Sequence, residues 1–418
     1  MIIREQIHEL AQFEDQGGCA LSFYFQPATP RNKAHKEEAI LTKDLVREAL
    51  RQLENKGNGS KHQYEAARAD LDRVMRLSEE LRGNAVHAKA VFACSAQGFW
   101  REYDLPAQLS GSELSVDRHF HLKPLAQLLG AVSSLGVVLL DRHRARLFDL
   151  RIGEISERFD FFHPLTRRGR GDGFMGFDAG HAERHVADEV REHFKSVAEV
   201  LKDALEKGLF EKWILGCQDD HWPLFEPQLH PYASQKLLGR FNPEVGYMSN
   251  EEIRSYAEKI FAESQERRRR ELVREAIEQA GHNNLGATGL RRVLFSLELG
   301  EVQTLLIGQN YRAQAVECSN CGHLDAHLVS SCPVCVHPTR VVDVVGAILP
   351  RVIQNNIEVL FLKDDPQLDK IGNIAALLRY RSEQNHNLPA RSVAEVPPNP
   401  SVSRRTGVVG PYRGLASG

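Results

Sequence analysis

The chain has 418 residues, enough for about three domains at ~150 residues each. Its 42% hydrophobic and 26% charged residues match soluble globular proteins, and a formal net charge of −3 excludes nucleic-acid binding through bulk charge, leaving only local basic patches. No stretch approaches the ~20 apolar residues of a membrane helix, the first residues hold no secretory h-region, and seven cysteines are too few for a disulfide scaffold. The expectation is a cytoplasmic chain in a reducing setting, without a membrane partner.

In chain order, residues 1–128 form the first block. Ala20–Gln26 reads as a strand stopped by Pro27 and Pro30. Over 33–54 the spacing of Leu41, Leu45, Ala49 and Leu53 predicts a helix with those residues on one face. A turn-rich break at Asn55–Lys61 follows, then a second helix with Leu71, Val74, Ser78 and Leu81 on its inner stripe. Ala88–Cys94 is the next strand, turned by Gly98. The block is a helical hairpin on a small sheet.

The second block covers 129–281. Gly136–Leu140, a polar turn and Ala145–Leu150 predict a β-hairpin, which Phe159–Phe162 extends. The segment 163–179 mixes glycine, arginine and one proline, so an irregular loop is expected. Val186, Val190, Phe194, Val197, Leu201 and Leu205 recur at three and four, the pattern of an amphipathic helix. Phe210–Cys217 reads as a strand and Asn250–Ala280 as a long charged helix.

The third block, 282–381, opens with a helix at Gly289–Leu299 and a strand at Val302–Ile307. A cysteine-rich insertion (316–338) precedes a helix near Val341–Gln354, a strand at Ile357–Leu362 and a short segment ending at Tyr380. Alternating strands and helices give an α/β (α+β) class. From 382 to 418, Pro, Ser, Asn and Gly dominate without apolar period, so a disordered tail is expected.

The most specific motif is Cys318-x2-Cys321-x10-Cys332-x2-Cys335. Two CxxC knuckles supply four thiolates to a tetrahedral Zn2+, with Gly322 easing the first turn. Four protein ligands leave no open position, so such a zinc is structural; reduced pairs or a redox dithiol are the alternatives. His323, His327 and His337 lie near enough to replace one thiolate.

Gly171-Asp-Gly-Phe-Met-Gly176 formally matches GxGxxG, but the helix begins late and no acidic partner follows at the dinucleotide distance. A basic loop touching phosphates through Arg167, Arg168 and Arg170 is the competing reading, and a solvated loop the third. His181 and His185, with Glu189, could hold a metal or form a solvated polar face; the Glu offset differs from the zincin order. Asp141 and His143 sit in a predicted turn, where polar residues are ordinary. Arg267–Arg270 reads as a solvated girdle with RNA contact as the alternative, and Cys19, Cys94 and Cys217 as core residues.

At the third block these motifs resemble a family. Gly289–Ile307 is similar to the start of the C-terminal domain of archaeo-eukaryotic class I peptide chain release factors and Pelota proteins, where the pattern is near GxxxVxxALExGAVxxLLI. Ile371–Tyr380 resembles that domain's closing GGIAAILRY, and the cysteine insertion falls where archaeal members carry a zinc minidomain. Gly136–Gly153, Val190–Glu199 and Leu229-His-Pro231 resemble middle-domain elements. The resemblance implies a three-domain release-factor-like architecture with a zinc-ribbon insertion.

The family's GGQ glutamine, which promotes peptidyl-tRNA hydrolysis, has no counterpart in Gly169–Gly176, and the stop-codon element Asn-Ile-Lys-Ser has none in Asn55–Lys61. Among bacterial relatives the pattern resembles the Balon-type hibernation factors, which occupy the vacant ribosomal A site and are associated with elongation factor Tu. The resemblance therefore implies a monomeric factor that binds rRNA of both subunits without catalysis. Lys56, Asn58 and Lys61 would touch the decoding centre. Arg167, Arg168, Gly169, Arg170, Gly171 and Gly173 would touch the peptidyl transferase centre. Release or rescue by peptidyl-tRNA hydrolysis is the enzymatic alternative, and a cytosolic metal hydrolase centred on His181 and His185 the third.

Overall fold

The computed structural model describes residues 4–15, 17–26, 36–56, 61–80, 88–105, 109, 111–131, 134–151, 154–162, 178–243 and 248–382. The basic loop through 177, the turn 57–60 with Asn58, and the tail 383–418 lie outside the described residues, as do the side chains of Lys56, Lys61, His181 and His185. Four sheets organise the rest.

The first sheet follows α1 (Arg4–Gln12) and contains β1 (Ala20–Phe25). The helices α2 (Lys36–Lys56) and α3 (Lys61–Glu80) come next, then β2 (Ala88–Cys94), β3 (Phe99–Leu105), β4 (Glu113–Asp117) and α4 (Lys123–Ala131). The strand order is β3-β2-β1-β4, antiparallel throughout. β1 is buried at every residue because the helical hairpin covers one face and α1 the other. The inner stripe of α2 is Thr42, Val46 and Ala49, and Leu41 is exposed. A strict four-residue spacing drifts ~40° per step against 3.6 residues per turn, so mixed steps of four and three keep a buried line and Leu41 falls off it. The stripe of α3 is as expected at Leu71, Val74 and Ser78.

The second sheet comprises β5 (Leu135–Leu140), β6 (Arg144–Arg151) and β7 (Glu154–Phe162), then β8 (Lys212–Cys217) and β9 (Leu237–Phe241). Between β7 and β8 runs α5 (Asp178–Glu206); α6 (Trp222–Phe225) and α7 (Pro231–Gln235) precede β9. The order is β7-β6-β5-β8-β9, with β5, β8 and β9 parallel and the hairpin strands antiparallel. The two parallel strands at its centre are almost wholly buried, as crossover helices on a sheet require. α5 starts at Asp178, so the expected 163–179 loop loses its last two residues to the helix. Its Val190, Phe194, Val197 and Leu201 pack on Val138, Leu147 and Trp213.

α8 (Asn250–Gly281) then leaves this sheet. Ser249 caps it with a complete capping box to Glu252. Ile253 and Ala257 are buried near its start and Val273 and Ala276 near its end, with no buried residue between. The helix thus carries the chain roughly 24 Å between two cores at 1.5 Å per residue.

The third sheet has the order β10-β16-β11-β15, from β10 (Gly286–Thr288), β11 (Val302–Gly308), β15 (Glu358–Leu362) and β16 (Ile374–Leu378). α9 (Leu290–Glu298), α10 (Val344–Gln354) and α11 (Pro366–Lys370) accompany it. The inserted ribbon has β12 (Gln314–Cys318) between β13 (Leu324–Asp325) and β14 (Thr339–Asp343). The expected helix start near Val341 is corrected to Val344. Val341 and Val342 pair with Val316 and Ala315 in β14, and the Asp343 side chain caps α10 by accepting from the Gly346 amide at 2.8 Å.

The first and third sheets share packing. Ile353 of α10 joins Ile7, Leu10 and Leu125 in one cluster, Gln354 donates to the Ala11 carbonyl at 2.7 Å, and Lys123 donates to the Gln309 carbonyl at 2.9 Å. No helix among the described residues is long and apolar enough to cross a membrane.

Candidate metal centre

The ribbon brings the four expected cysteines together. Their sulfurs all lie within 4.8 Å of one another, and three pairs stand at 3.3, 3.4 and 3.6 Å. A tetrahedral zinc with ~2.3 Å bonds spaces its sulfurs at about 3.8 Å, so the donor set fits a four-coordinate ion of that kind. Among the described residues no other group of three or more His, Cys, Asp or Glu converges in this way.

Backbone geometry explains how the sulfurs are aimed. The Asn320 and Cys321 amides point at Cys318 Sγ at 3.4 and 3.5 Å, and the Val334 amide points at Cys332 Sγ at 3.4 Å. Each knuckle closes the same way: the Cys318 amide donates to the His323 carbonyl at 2.9 Å and the Cys332 amide to the His337 carbonyl at 2.8 Å. The His337 amide, followed by the neighbouring sulfurs, holds the Cys335 thiol down to about 5. The His323 amide also favours the Cys321 thiolate, yet hydrogen bonding with Cys335 and burial push it up to about 12. Without a cation the sulfurs share protons, and a bound cation displaces them.

The residue after each second cysteine must turn left-handed. Gly322 does so freely at φ +70°, whereas Val336 sits at +63°. A β-branched side chain there is an outlier costing about 1–2 kcal/mol. Val336→Gly should therefore slow metal transfer to a competing chelator and stabilise the ribbon by about 1 kcal/mol, after the added freedom of glycine in the unfolded chain is subtracted. Faster metal loss would show that Val336 is unstrained.

A second set of residues, not apparent from the motif, fixes the ribbon to its sheet. The buried Glu317 carboxylate accepts from Arg340 at 2.5 Å and Arg351 at 3.1 Å. Arg351 of α10 also donates to the Gly322 carbonyl, and His323 bonds Glu298 of α9. A lone acid inside an apolar strand next to the first cysteine is the available signal. None of the three nearby histidines enters the sulfur cluster: His327 bonds Asp325 at 3.0 Å and His337 Nδ1 lies 2.9 Å from the Cys335 carbonyl.

The remaining cysteines are core residues, as expected. Cys19, Cys94 and Cys217 are buried, and burial raises Cys94 and Cys217 to about 11, which keeps them as unreactive thiols. Asp141 and His143 stand 4.0 Å apart in the hairpin turn. In the four-arginine run, Arg268 pairs with Glu358 at 2.8 Å and Arg269 and Arg270 with Glu266 at 3.9 and 3.1 Å. Three of the four cations thus meet carboxylates, which supports the solvated girdle.

Residues 121–260 match the model of bacterial archaeo-eukaryotic release factor family 10. The chain is 28% identical over 218 residues to peptide chain release factor subunit 1 of Archaeoglobus fulgidus, covering 49% of this chain and 52% of that one. It is 25% identical over 307 residues to subunit 1-1 of Methanosarcina acetivorans, covering 66% and 72%. Among solved structures, the archaeal translation termination factor aRF1 aligns with 91% of this chain and 99% of that one at 15% identity and TM-score 0.25. Archaeoglobus fulgidus Pelota aligns with 72% and 81% at 15% identity and TM-score 0.33. The middle third of the chain thus resembles that bacterial release-factor-like family, and the similarity to the two archaeal release factors runs over half to two thirds of the chain. It spans about half the length of the Archaeoglobus relative.

Proposed function

We propose that this protein is a ribosome-binding factor that occupies the A site of idle ribosomes and does not cleave peptidyl-tRNA. The observation that carries the reading is a combination. The chain is related to peptide chain release factors, yet Gly169–Gly176 supplies no glutamine to orient a water at the ester and Asn55–Lys61 lacks the stop-codon element. Without a side chain acting on the ester, binding energy is left to hold the site and not to stabilise a transition state.

In this reading the three blocks are three working parts. Residues 1–128 face the decoding centre through Lys56, Asn58 and Lys61. Residues 129–281 present Arg167, Arg168, Gly169, Arg170, Gly171 and Gly173 to the peptidyl transferase centre. Residues 282–381 hold the ribbon, whose four cysteines would bind a structural zinc. That ion would supply cross-linking, not Lewis-acid chemistry, because four thiolates fill a tetrahedral shell. The protein acts as a monomer in the cytoplasm, and elongation factor Tu is the partner that the resemblance adds.

Replacing Arg167, Arg168 and Arg170 together with alanine should weaken binding to purified ribosomes and flatten the dependence of log affinity on log salt by about two to three units, near one per lost phosphate contact. Co-sedimentation that is unchanged across salt concentrations would remove the loop from the interface. Release or rescue by hydrolysis remains the second reading, favoured only by the names of the relatives. A peptide-release assay separates it from occupancy.

A further inference from the structure

The ribbon holds two knuckles of the same build, and they differ where it matters for contact. Aligned on their cysteines, Asn320 corresponds to Val334 and Gly322 to Val336. The first knuckle is tied to the sheet beneath it through Arg351 and Glu298. The second stands in solvent, with Val334 67% and Val336 79% exposed. A chain folding only for its own stability would place the aliphatic pair on the tied knuckle and the Asn and Gly outside. Here the arrangement is reversed.

Val336 also holds an exposed aliphatic side chain on left-handed backbone, where the equivalent first-knuckle position uses glycine. Strain retained at an exposed side chain is a mark of contact, since nothing inside the molecule gains from it. Leu328 and Val341 are exposed on the same ribbon. Their segments run side by side, with Thr339 donating to the Ser330 carbonyl and Ser331 bridged to Pro338.

Charge decides the kind of partner. Residues 326–339 contain no Lys, Arg, Asp or Glu, and their titratable side chains besides cysteine are His327 and His337. A phosphate backbone is held by cations, and four thiolates around a divalent ion leave the centre negative. Phosphate is therefore disfavoured, whereas an uncharged aliphatic tip suits the apolar centre of a protein interface.

Resting on the ribosome-binding reading, we propose that the second knuckle, with the exposed Val334 and Val336 at its centre, docks on an apolar patch of a ribosomal protein and not on rRNA. The test places a photo-crosslinking benzophenone side chain at Val334 in the full-length, metal-loaded protein and irradiates it bound to purified 70S ribosomes. The expected adduct joins one ribosomal protein, survives ribonuclease and is destroyed by protease. In parallel, the Val334→Ser, Val336→Ser double variant should keep its metal content and its salt slope while losing about tenfold in ribosome affinity. An adduct with rRNA, an adduct between two copies of this chain, or no adduct while co-sedimentation persists overturns the docking proposal alone. Failure of the unmodified protein to co-sediment overturns the ribosome reading and the docking proposal with it.

Discussion

Replacing Cys332 with serine should abolish stoichiometric metal binding and unfold the ribbon while the sheet of β10, β11, β15 and β16 survives. The ribbon's three strands are short, β13 having only two residues, and its interior is chiefly Ala315, Val316, Leu324 and the sulfurs. So small a unit lacks the apolar core to stand without a staple. A structural zinc contributes roughly 10–16 kcal/mol of apparent binding energy at neutral pH, which here would be folding energy. Because metal binding displaces protons, the same loss should follow acidification in the unaltered protein, and rising pH should reverse it. Elemental analysis should give one zinc per chain before the substitution and none after. Hydrogen exchange should become fast across 314–343 and stay slow in β11. Undiminished metal content, or unchanged protection in β12 and β14, would contradict a structural four-cysteine site.

The second large effect is expected at Trp213. This side chain is fully buried in the middle sheet, and its indole N–H donates to the Ala233 carbonyl at 2.7 Å. It packs among Phe194, Leu201 and Phe225. Trp213→Ala removes the largest buried side chain and one of two donors to that carbonyl, which keeps the Lys236 amide at 3.1 Å, for a cost of about 4 kcal/mol that is mostly the cavity. Thermal unfolding followed by circular dichroism should show the midpoint of this part falling by about 10 °C, with Trp213→Phe in between. A shift under ~2 °C for the alanine variant would mean that α5 and α7 are not held on the sheet by this residue.

Elements with strong local signals can be read from the sequence. The hairpin of β5 and β6 sets two apolar runs on either side of a polar turn, α5 keeps three-and-four spacing over five turns, and the paired CxxC motifs specify their own geometry. Elements whose stability comes from neighbours cannot. β3 is an edge strand with Arg101, Glu102 and Asp104 in its middle, so its composition reads as loop, and it exists because β2 offers it a partner. β16 is a short unbroken apolar run, Ile374–Leu378, buried between β10 and β11, and such a run has no period to show. β14 merges with the following helix in the sequence because Val341 and Val342 adjoin an apolar helical stripe; the capping aspartate Asp343 is the boundary signal between them. At the metal centre the ligands are legible and their support is not. Glu317 and Arg351 meet across the ribbon and α10, a pairing set by tertiary structure and invisible in spacing.

The most direct measurement of the central claim adds purified protein at increasing concentration to vacant 70S ribosomes and to ribosomes carrying peptidyl-tRNA, recording occupancy and ester release in the same samples. Saturable, near-stoichiometric binding to the vacant particles is expected, with peptide release no faster than in buffer. Release that rises and saturates with added protein, or vacant particles that stay unoccupied, would contradict that claim.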